Sequence, residues 1–170
     1  MTMAAIDKAM TADLVIRQMR WWDIEQVHRL EANAFPETSW SVETFWSELA
    51  GVPATRYYLV AESCGQVVGY AGLMVIGTEA DVQTLAVAAE SQRRGVGARL
   101  LDALLAEAER RGCSHVTLEV GAAGESAQRL YSRCGFEVIA RRTSYYGPGA
   151  DALIMRLRLR LSGHVEVPAP

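Results

Sequence analysis

The stretch Gln92-Arg93-Arg94-Gly95-Val96-Gly97 decides the fold, because it joins a strand-like run at residues 81–87 to a long amphipathic helix pattern at residues 96–111. Glycine has no Cβ, so Gly95 and Gly97 let the backbone approach a ligand closely. The first N–H groups of the following helix have no intrahelical partner, and they lie at the positive end of the helix dipole. The junction therefore favours the binding of an anion.

Two common phosphate-binding motifs do not fit this stretch. A mononucleotide P-loop has the form GxxxxGK[ST], and no Lys-Ser or Lys-Thr pair follows Gly97. A dinucleotide fingerprint has the form GxGxxG, and the third residue after Gly97 is Leu100. The pattern that remains is Q/R-x-x-G-x-G/A. A glycine-rich turn that only begins a helix is the alternative interpretation.

Length and composition indicate one domain and exclude several classes of partner. The chain has 170 residues, of which 50% are hydrophobic, which suits one core and is too short for two. A net charge of −3 gives no positive field to attract nucleic acid. The sequence contains no apolar run of about 18 residues and no charged-then-apolar leader. We therefore expect a cytoplasmic protein with neither nucleic acid nor membrane as a partner.

The cysteines and histidines show no spacing that is typical of a metal site or a disulfide framework. Cys64, Cys113 and Cys134 lie far apart, without a CxxC pair and without a histidine at ligand spacing. The three histidines are equally scattered, at His28, His115 and His164. We expect no metal and no disulfide.

Periodicity in the first half of the chain predicts alternating strands and helices. A strand is predicted at 14–17, helices at 23–34 and 42–50, and further strands at 57–62, 67–75 and 81–87. Ser41 is a suitable N-cap for the second helix. Four aromatic residues surround the connection between the two helices, and they either fill the core or wall a substrate groove: Phe35, Trp40, Phe45 and Trp46.

The second half begins with the most regular pattern, the helix at 96–111 that Gly112 ends. The next run, 115–120, alternates as a strand and turns Glu119 away from its apolar neighbours. This carboxylate is either an ordinary exposed strand residue or a functional group. A helix at 126–133 and strands at 135–142 and 153–161 follow. Residues 1–13 are predicted to be a flexible leader, and residues 162–170 a disordered tail.

The order of these elements, with the glycine loop after the fourth strand, resembles the GCN5-related N-acetyltransferase (GNAT) family. Residues 14–161 are similar to its RimI-like branch, the ribosomal-protein alanine N-acetyltransferases. The fold class implied is α/β, with a mixed, mostly antiparallel central sheet flanked by helices. The matching pieces are Ala34-Phe35-Pro36 with Trp40, Leu85-Ala86-Val87, the 92–97 stretch, Leu118-Glu119-Val120, Leu130-Tyr131-x-x-x-Gly135-Phe136, and Arg141-Arg142-x-x-Tyr145-Tyr146 followed by Asp151-Ala152 and Met155.

The resemblance implies an enzyme that uses acetyl-CoA as its cosubstrate and transfers the acetyl group directly. Glu119 would be the general base, acting through water, and Tyr131 would protonate the leaving thiolate. The Val87 N–H would polarise the thioester carbonyl. Coenzyme contacts would come from two segments, with the residues Leu85, Ala86, Val87, Gln92, Arg93, Arg94, Gly95, Val96, Gly97 and Ala98.

The acceptor implied by the resemblance is the N-terminal α-amine of a protein with a small first residue, such as a small-subunit ribosomal protein. The groove for it would be lined by Phe35, Trp40, Tyr145 and Tyr146. One departure from the family pattern is Gly121 and Gly124, which stand where Arg and Asn are common, and that Asn usually helps to hold the coenzyme. A lysine or small-amine acetyltransferase and a non-catalytic acetyl-CoA-binding regulatory module are the alternatives.

Overall fold

The computed structural model describes residues 13–145, 147 and 149–160. Nearly all of the predicted leader and the whole predicted tail lie outside these residues. In the described part the elements follow the predicted order: β1 Val15–Gln18, α1 Ile24–Ala34, α2 Val42–Ala50, β2 Arg56–Ser63, β3 Gln66–Ile76, β4 Glu79–Val87, α3 Val96–Arg110, β5 His115–Gly121, α4 Glu125–Arg133, β6 Glu137–Arg142 and β7 Ala152–Arg158. Short 3-10 turns precede α1 and α3, at Trp21–Asp23 and Ala89–Ser91.

The strands form one twisted layer with the order β1-β2-β3-β4-β5-β7-β6. Among the described strands, only β4 and β5 pair in parallel, and α3 is the crossover helix that such a pair requires. Every other neighbouring pair is antiparallel. The predicted fold class, an α/β fold with a mixed and mostly antiparallel sheet, is confirmed.

Helices cover both faces of the sheet, and each face has its own apolar cluster. On one face, α3 contributes Leu100, Leu101 and Leu104, all fully buried. Burial of one such leucine side chain contributes about 1.5–3 kcal/mol, so α3 is held firmly and its first turn has a fixed place. On the other face, α1 and α2 bury Val27 and Phe45 against the sheet. No helix among the described residues is long and apolar enough to cross a membrane.

Turn and cap residues behave as the sequence predicts. The Ser41 hydroxyl accepts the Thr44 N–H at 3.2 Å and caps α2. The β2–β3 hairpin turns through Cys64 and Gly65, both with positive φ, as a two-residue turn of this kind requires. Gly112 follows the C-cap of α3, Arg111, and has a φ of 73°, which confirms it as the residue that ends the helix.

The structure corrects the predicted aromatic cluster. Trp46 is 49% exposed and stacks on Trp21, with 6.3 Å between ring centroids, whereas Phe45 is fully buried. Successive residues on a helix point about 100° apart, so α2 can direct only one of the two rings at the sheet. Trp46 therefore belongs neither to the core nor to the connection at Phe35 and Trp40.

The last strand is shorter than predicted. β7 ends at Arg158. The Leu159 N–H makes one further bond in the same register, to Ser114 O at 3.0 Å, but the Ser114 N–H donates to Thr78 O at 2.8 Å and not back to Leu159. Alternation alone could not place this end, because Leu159 and Arg160 keep the same apolar and polar alternation outside the strand. Leu161, the predicted final residue, lies outside the described residues.

Candidate active site

β4 and β5 separate partway along their length and leave an open wedge between them. Their pairing runs from Glu79 opposite His115 to Val82 opposite Leu118 and stops there. β4 nevertheless continues to Val87, and β5 pairs with β7 along its whole length. The second part of β4 therefore has no neighbouring strand on its β5 side.

The backbone of Val87 faces this wedge. The Ala88 N–H donates to Val68 O at 2.9 Å, and Val87 lies opposite Gly69. In an antiparallel ladder this alternation puts Val87 in a non-hydrogen-bonded pair, so its N–H and C=O point away from β3. Gln92 Nε2 donates to the Val87 carbonyl at 3.1 Å. The Val87 N–H is thus directed into the wedge, and the Val87 carbonyl is bonded to Gln92 of the glycine loop.

A bulge in β4 sets which side chains accompany these backbone groups. The β3–β4 register skips Gln83, which is therefore the extra residue of the bulge. Beyond it, Leu85 and Val87 pack into the cluster under α3, and Ala86 packs into the cluster under α1 and α2. Because Leu85 precedes Val87 by two residues, its backbone points into the wedge in the same way.

The glycine loop lies at the mouth of the wedge. Gly95 is the N-cap of α3, with a φ of 81° that glycine adopts without strain, and the first N–H groups of α3 have no side-chain cap. A Cβ at Gly97 would lie 3.3 Å from Leu130 Cδ2 and 3.7 Å from Val87 Cγ2, so the loop, β4 and α4 meet here. Uncapped N–H groups beside an open strand edge suit the pyrophosphate and the amide-bearing arm of a coenzyme.

Glu119 is the first residue of β5 beyond the last pair with β4. It points away from the face on which Leu118 and Val120 are buried, as the alternation predicts. Its side chain is 28% exposed, and its Oε1 lies 2.7 Å from Arg142 Nη1. The Arg142 guanidinium in turn lies 5.2 Å from the centroid of the Tyr145 ring. Arg142 therefore links Glu119 to Tyr145, one of the predicted groove residues.

A second carboxyl group, Asp81, lies where the wedge closes. Its oxygens accept hydrogen bonds from Thr117 Oγ1 at 2.9 Å and from Gln83 Nε2 at 2.8 Å. Burial raises the pKa of Asp81 in spite of the Thr117 bond, and the negative charge of Glu119 adds to the rise. Local sequence does not indicate a role for Asp81, since an acidic residue in an alternating strand is typical of a solvated position.

Tyr131 lies on α4 with its side chain in the core. It is 7% exposed and belongs to the cluster that contains Leu118 and Val120. Its ring meets the ring of Phe136 edge to face, with 5.9 Å between centroids. A packing role and a proton-donor role both fit this position. The two roles differ in whether the hydroxyl group is needed for activity.

The turn after β5 is held by Gln128, a residue that no sequence motif marks as functional. Its Nε2 donates to the carbonyls of Gly121 and Ala122, each at 2.9 Å. The Gly124 N–H also donates to Gly121 O at 2.9 Å, and a Cβ at Gly124 would lie 3.1 Å from that same oxygen. The two glycines that depart from the family pattern therefore form a tight turn closed by an amide side chain.

The predicted groove residues lie on two separate connections. Phe35 and Trp40 belong to the connection between α1 and α2, where the Trp40 ring packs on Phe45 with 5.6 Å between centroids. Tyr145 belongs to the connection between β6 and β7 and is exposed, and Tyr146 lies outside the described residues. Trp40 and Tyr145 therefore lie on two different connections, and the contacts described for them do not join the two rings.

The splayed sheet, with a helix N terminus at its opening, matches the fold of a solved acetyltransferase. The model of the acetyltransferase (GNAT) family matches residues 20–136, and the chain belongs to this family. Acetyltransferases of this family use acetyl-CoA, which is the cosubstrate that the sequence predicts.

Similar proteins fall in the predicted branch. N-alpha-acetyltransferase RimI of Mycobacterium tuberculosis is 38% identical, over 86% of this chain and 96% of its own. The ribosomal protein bS18-alanine N-acetyltransferase of Escherichia coli K12 is 32% identical, over 86% of this chain and 98% of its own. The crystal structure of the Escherichia coli ribosomal-protein-S18-alanine N-acetyltransferase matches with a TM-score of 0.80 and 29% identity, over 89% of this chain and 97% of its own. The resemblance to RimI-like enzymes is confirmed.

Proposed function

We propose that the protein transfers the acetyl group of acetyl-CoA to the N-terminal α-amine of a protein whose first residue is small. Ribosomal protein bS18 is the first candidate acceptor, because relatives of this chain are named for acetylating its alanine. Its place of action would be the cytoplasm, where ribosomal proteins are made. The observation that carries the proposal is the wedge itself, with the Val87 amide on one wall and the Glu119 carboxylate on the other.

The coenzyme would lie along the open edge of β4. The N–H groups of Val96, Gly97 and Ala98 and the positive end of α3 favour its pyrophosphate. The backbone groups of Leu85 and Val87 can pair with an extended amide-bearing arm in the way that an added strand pairs with a sheet edge. Gln92, Arg93 and Arg94 would supply the polar and positive side chains of the loop.

The Val87 N–H would stabilise the charge that develops during transfer. Attack of an amine on the thioester carbonyl places negative charge on the carbonyl oxygen, and one fixed donor there is worth about 10²–10³ in kcat. The bond from Gln92 Nε2 to Val87 O, 3.1 Å long, supports this donor by fixing the end of the strand.

Glu119 would take the proton that the attacking amine loses, through one water molecule. A general base of this kind contributes about 10²–10⁴-fold to the rate. The ion pair between Arg142 and Glu119 Oε1 orients the carboxylate from the β6 side. The geometry supports this assignment because Glu119 is the first β5 side chain on its face past the β4 pairing.

Tyr131 would return a proton to the leaving thiolate. Its ring is packed between α4 and β5, and the neighbouring Leu130 contacts the position of Gly97. Tyr131 also shares an apolar cluster with Val96 of the glycine loop, which supports a role close to the coenzyme.

The substitution Glu119→Gln tests the base directly, because it removes the proton acceptor and keeps the shape of the side chain. We expect the acetylation rate of an alanine-first peptide to fall by about 10²–10⁴-fold, with the KM for acetyl-CoA unchanged. The control is Glu79→Gln, an exposed carboxylate at the far end of β4 that lies 3.5 Å from His115, and it should leave the rate unchanged. A wild-type rate in Glu119→Gln would contradict the assignment.

A further inference from the structure

Glu31 is a buried carboxylate of α1 that acetyl transfer itself does not use. Its side chain is 2% exposed. Oε1 accepts the Trp40 N–H at 3.0 Å, and Oε2 accepts the hydroxyl hydrogen of Tyr70. Burial raises the pKa of Glu31, and the bond from Trp40 opposes that rise. A buried carboxylate is costly unless each oxygen is paired, so its presence here requires a reason.

The same residue closes both ends of the connection between α1 and α2. The main-chain oxygen of Glu31 accepts the Phe35 N–H at 2.8 Å, where the connection begins, and its carboxylate accepts the Trp40 N–H, where the connection ends. Ring contacts extend from this connection into the core. The centroids of Trp40 and Phe45 lie 5.6 Å apart, and those of Phe45 and Tyr70 lie 5.8 Å apart. One wall of the proposed groove is thus fixed by Glu31.

Tyr70 carries the hydrogen bonding on to β4. A tyrosine hydroxyl has one hydrogen, which Tyr70 donates to Glu31, so at 3.1 Å from Thr84 Oγ1 it accepts the threonine hydrogen. Thr84 directly precedes Leu85, where the open edge of β4 begins to face the wedge. A continuous network therefore joins the Trp40 wall of the groove to the strand proposed to hold the thioester.

We propose that Glu31 and Tyr70 are positioning residues that fix the α1–α2 connection relative to β4 and so determine how well the first residue of the acceptor fits. The inference rests on the proposed function, because these two walls enclose an acceptor only if its amine enters the wedge. The proposed coenzyme contacts are the backbone groups of Leu85 and Val87 and the glycine loop, and the Thr84 side chain, where the network ends, is not among them. The network should therefore govern the acceptor and leave acetyl-CoA binding unchanged.

The substitution Tyr70→Phe keeps the ring and deletes the hydroxyl that joins Glu31 to Thr84. We expect the KM for an alanine-first peptide to rise roughly tenfold, as for loss of a hydrogen bond to a charged group, while the KM for acetyl-CoA stays within about twofold. Backbone hydrogen exchange across residues 35–41 should become faster. Thr84→Val, which preserves the shape at the other end of the network, should change the same two quantities in the same direction by less.

Substitutions of Glu31 supply the rescue test. Glu31→Gln retains a carbonyl oxygen for the Trp40 N–H and should keep most of the wild-type peptide KM, whereas Glu31→Leu should not. The control is Glu25→Gln on the exposed side of the same helix, where Glu25 pairs with Arg29 at 2.7 Å, and it should change nothing. If Glu31→Leu does not fold, Tyr70→Phe and Thr84→Val still decide the question.

Two results would overturn the inference. One is an equal rise of both KM values in Tyr70→Phe, and the other is a folded Tyr70→Phe variant with wild-type peptide KM and wild-type exchange across 35–41. Failure of the proposed function looks different, because the wild-type protein would then acetylate no α-amine peptide at all. In that case the proposed role of Glu31 and Tyr70 in acceptor fit is contradicted as well. The hydrogen-exchange measurement then reports only whether the network orders the α1–α2 connection.

Discussion

The substitution Gly95→Ala separates the glycine loop's role in binding from its role in folding. Gly95 has a φ of 81° and a ψ of 0°, and a Cβ built on it meets nothing within 4 Å. The only penalty is therefore backbone strain, which is about 1–2 kcal/mol for an L-residue in the left-handed region. A chain of this size loses about 2–4 °C of Tm per kcal/mol, so we expect Tm to fall by roughly 2–8 °C.

Coenzyme affinity should fall by a comparable free energy. If the loop relieves its strain by moving, the N–H groups of α3 no longer converge, and a loss of about 1–2 kcal/mol weakens the Kd for acetyl-CoA roughly 5- to 30-fold. Titration calorimetry measures this Kd directly. Thermal unfolding gives a second measure, since a ligand at about 100 times its Kd stabilises the wild-type fold by roughly 2.7 kcal/mol.

The matched control is Gly77→Ala in the turn between β3 and β4, at the opposite end of β4 from the glycine loop. Gly77 also has a positive φ, of 61°, and a Cβ built on it also meets nothing within 4 Å. We expect a similar fall in Tm, because the backbone strain is of the same kind, with the Kd for acetyl-CoA unchanged. If Gly95→Ala binds acetyl-CoA as tightly as Gly77→Ala, the loop is not the pyrophosphate site.

Two further substitutions test the proposed proton donor, Tyr131, and the ion pairs of Glu107 on α3. Tyr131→Phe keeps the ring in the core and removes only the hydroxyl, so we expect a normal Tm and a slower turnover. Full activity would contradict the proton-donor role and would mean that solvent protonates the thiolate. Glu107 accepts bonds from Arg110 and Arg111, each at 2.7 Å, and the Arg110 bond is the main reason that its pKa is lowered in spite of burial. A lowered pKa in the folded state stabilises the fold above the ordinary glutamate value of about 4.3, and this stability is lost as pH falls through the lowered pKa. Urea unfolding should therefore show Glu107→Gln about 1–3 kcal/mol less stable than wild type at pH 7, with a smaller gap in acid, whereas a constant gap would contradict the linkage.

Local patterns predicted most of the elements, because each rests on residues close in sequence. The helix beginning at Val96 follows from its apolar spacing, and Gly112 ends it where expected. Alternation in 115–120 correctly separated Glu119 from its buried neighbours. Periodicity gives the face of an element, which is enough to orient a carboxylate on its strand.

What lies opposite that face depends on distant parts of the chain, and local patterns do not contain it. The insertion of β7 between β5 and β6 brings Arg142 to Glu119, and the local sequence around either residue does not indicate this pairing. Helical spacing puts Glu31 on the same face of α1 as Ile24 and Val27. Its partners Trp40 and Tyr70 come from a connection and a strand that only the folded chain brings together. Pairings of this kind are set by tertiary packing.

Acetylation of a series of peptides that differ only in their first residue tests whether the acceptor is an N-terminal α-amine beside a small side chain. The peptides begin with Ala, Ser, Met or Leu, and a further peptide has a blocked N-terminus and a free internal lysine. Each is incubated with the protein and acetyl-CoA, and mass spectrometry locates the added group. We expect fastest modification of the α-amine of the Ala and Ser peptides and none of the blocked peptide. Efficient lysine acetylation on the blocked peptide would contradict this expectation.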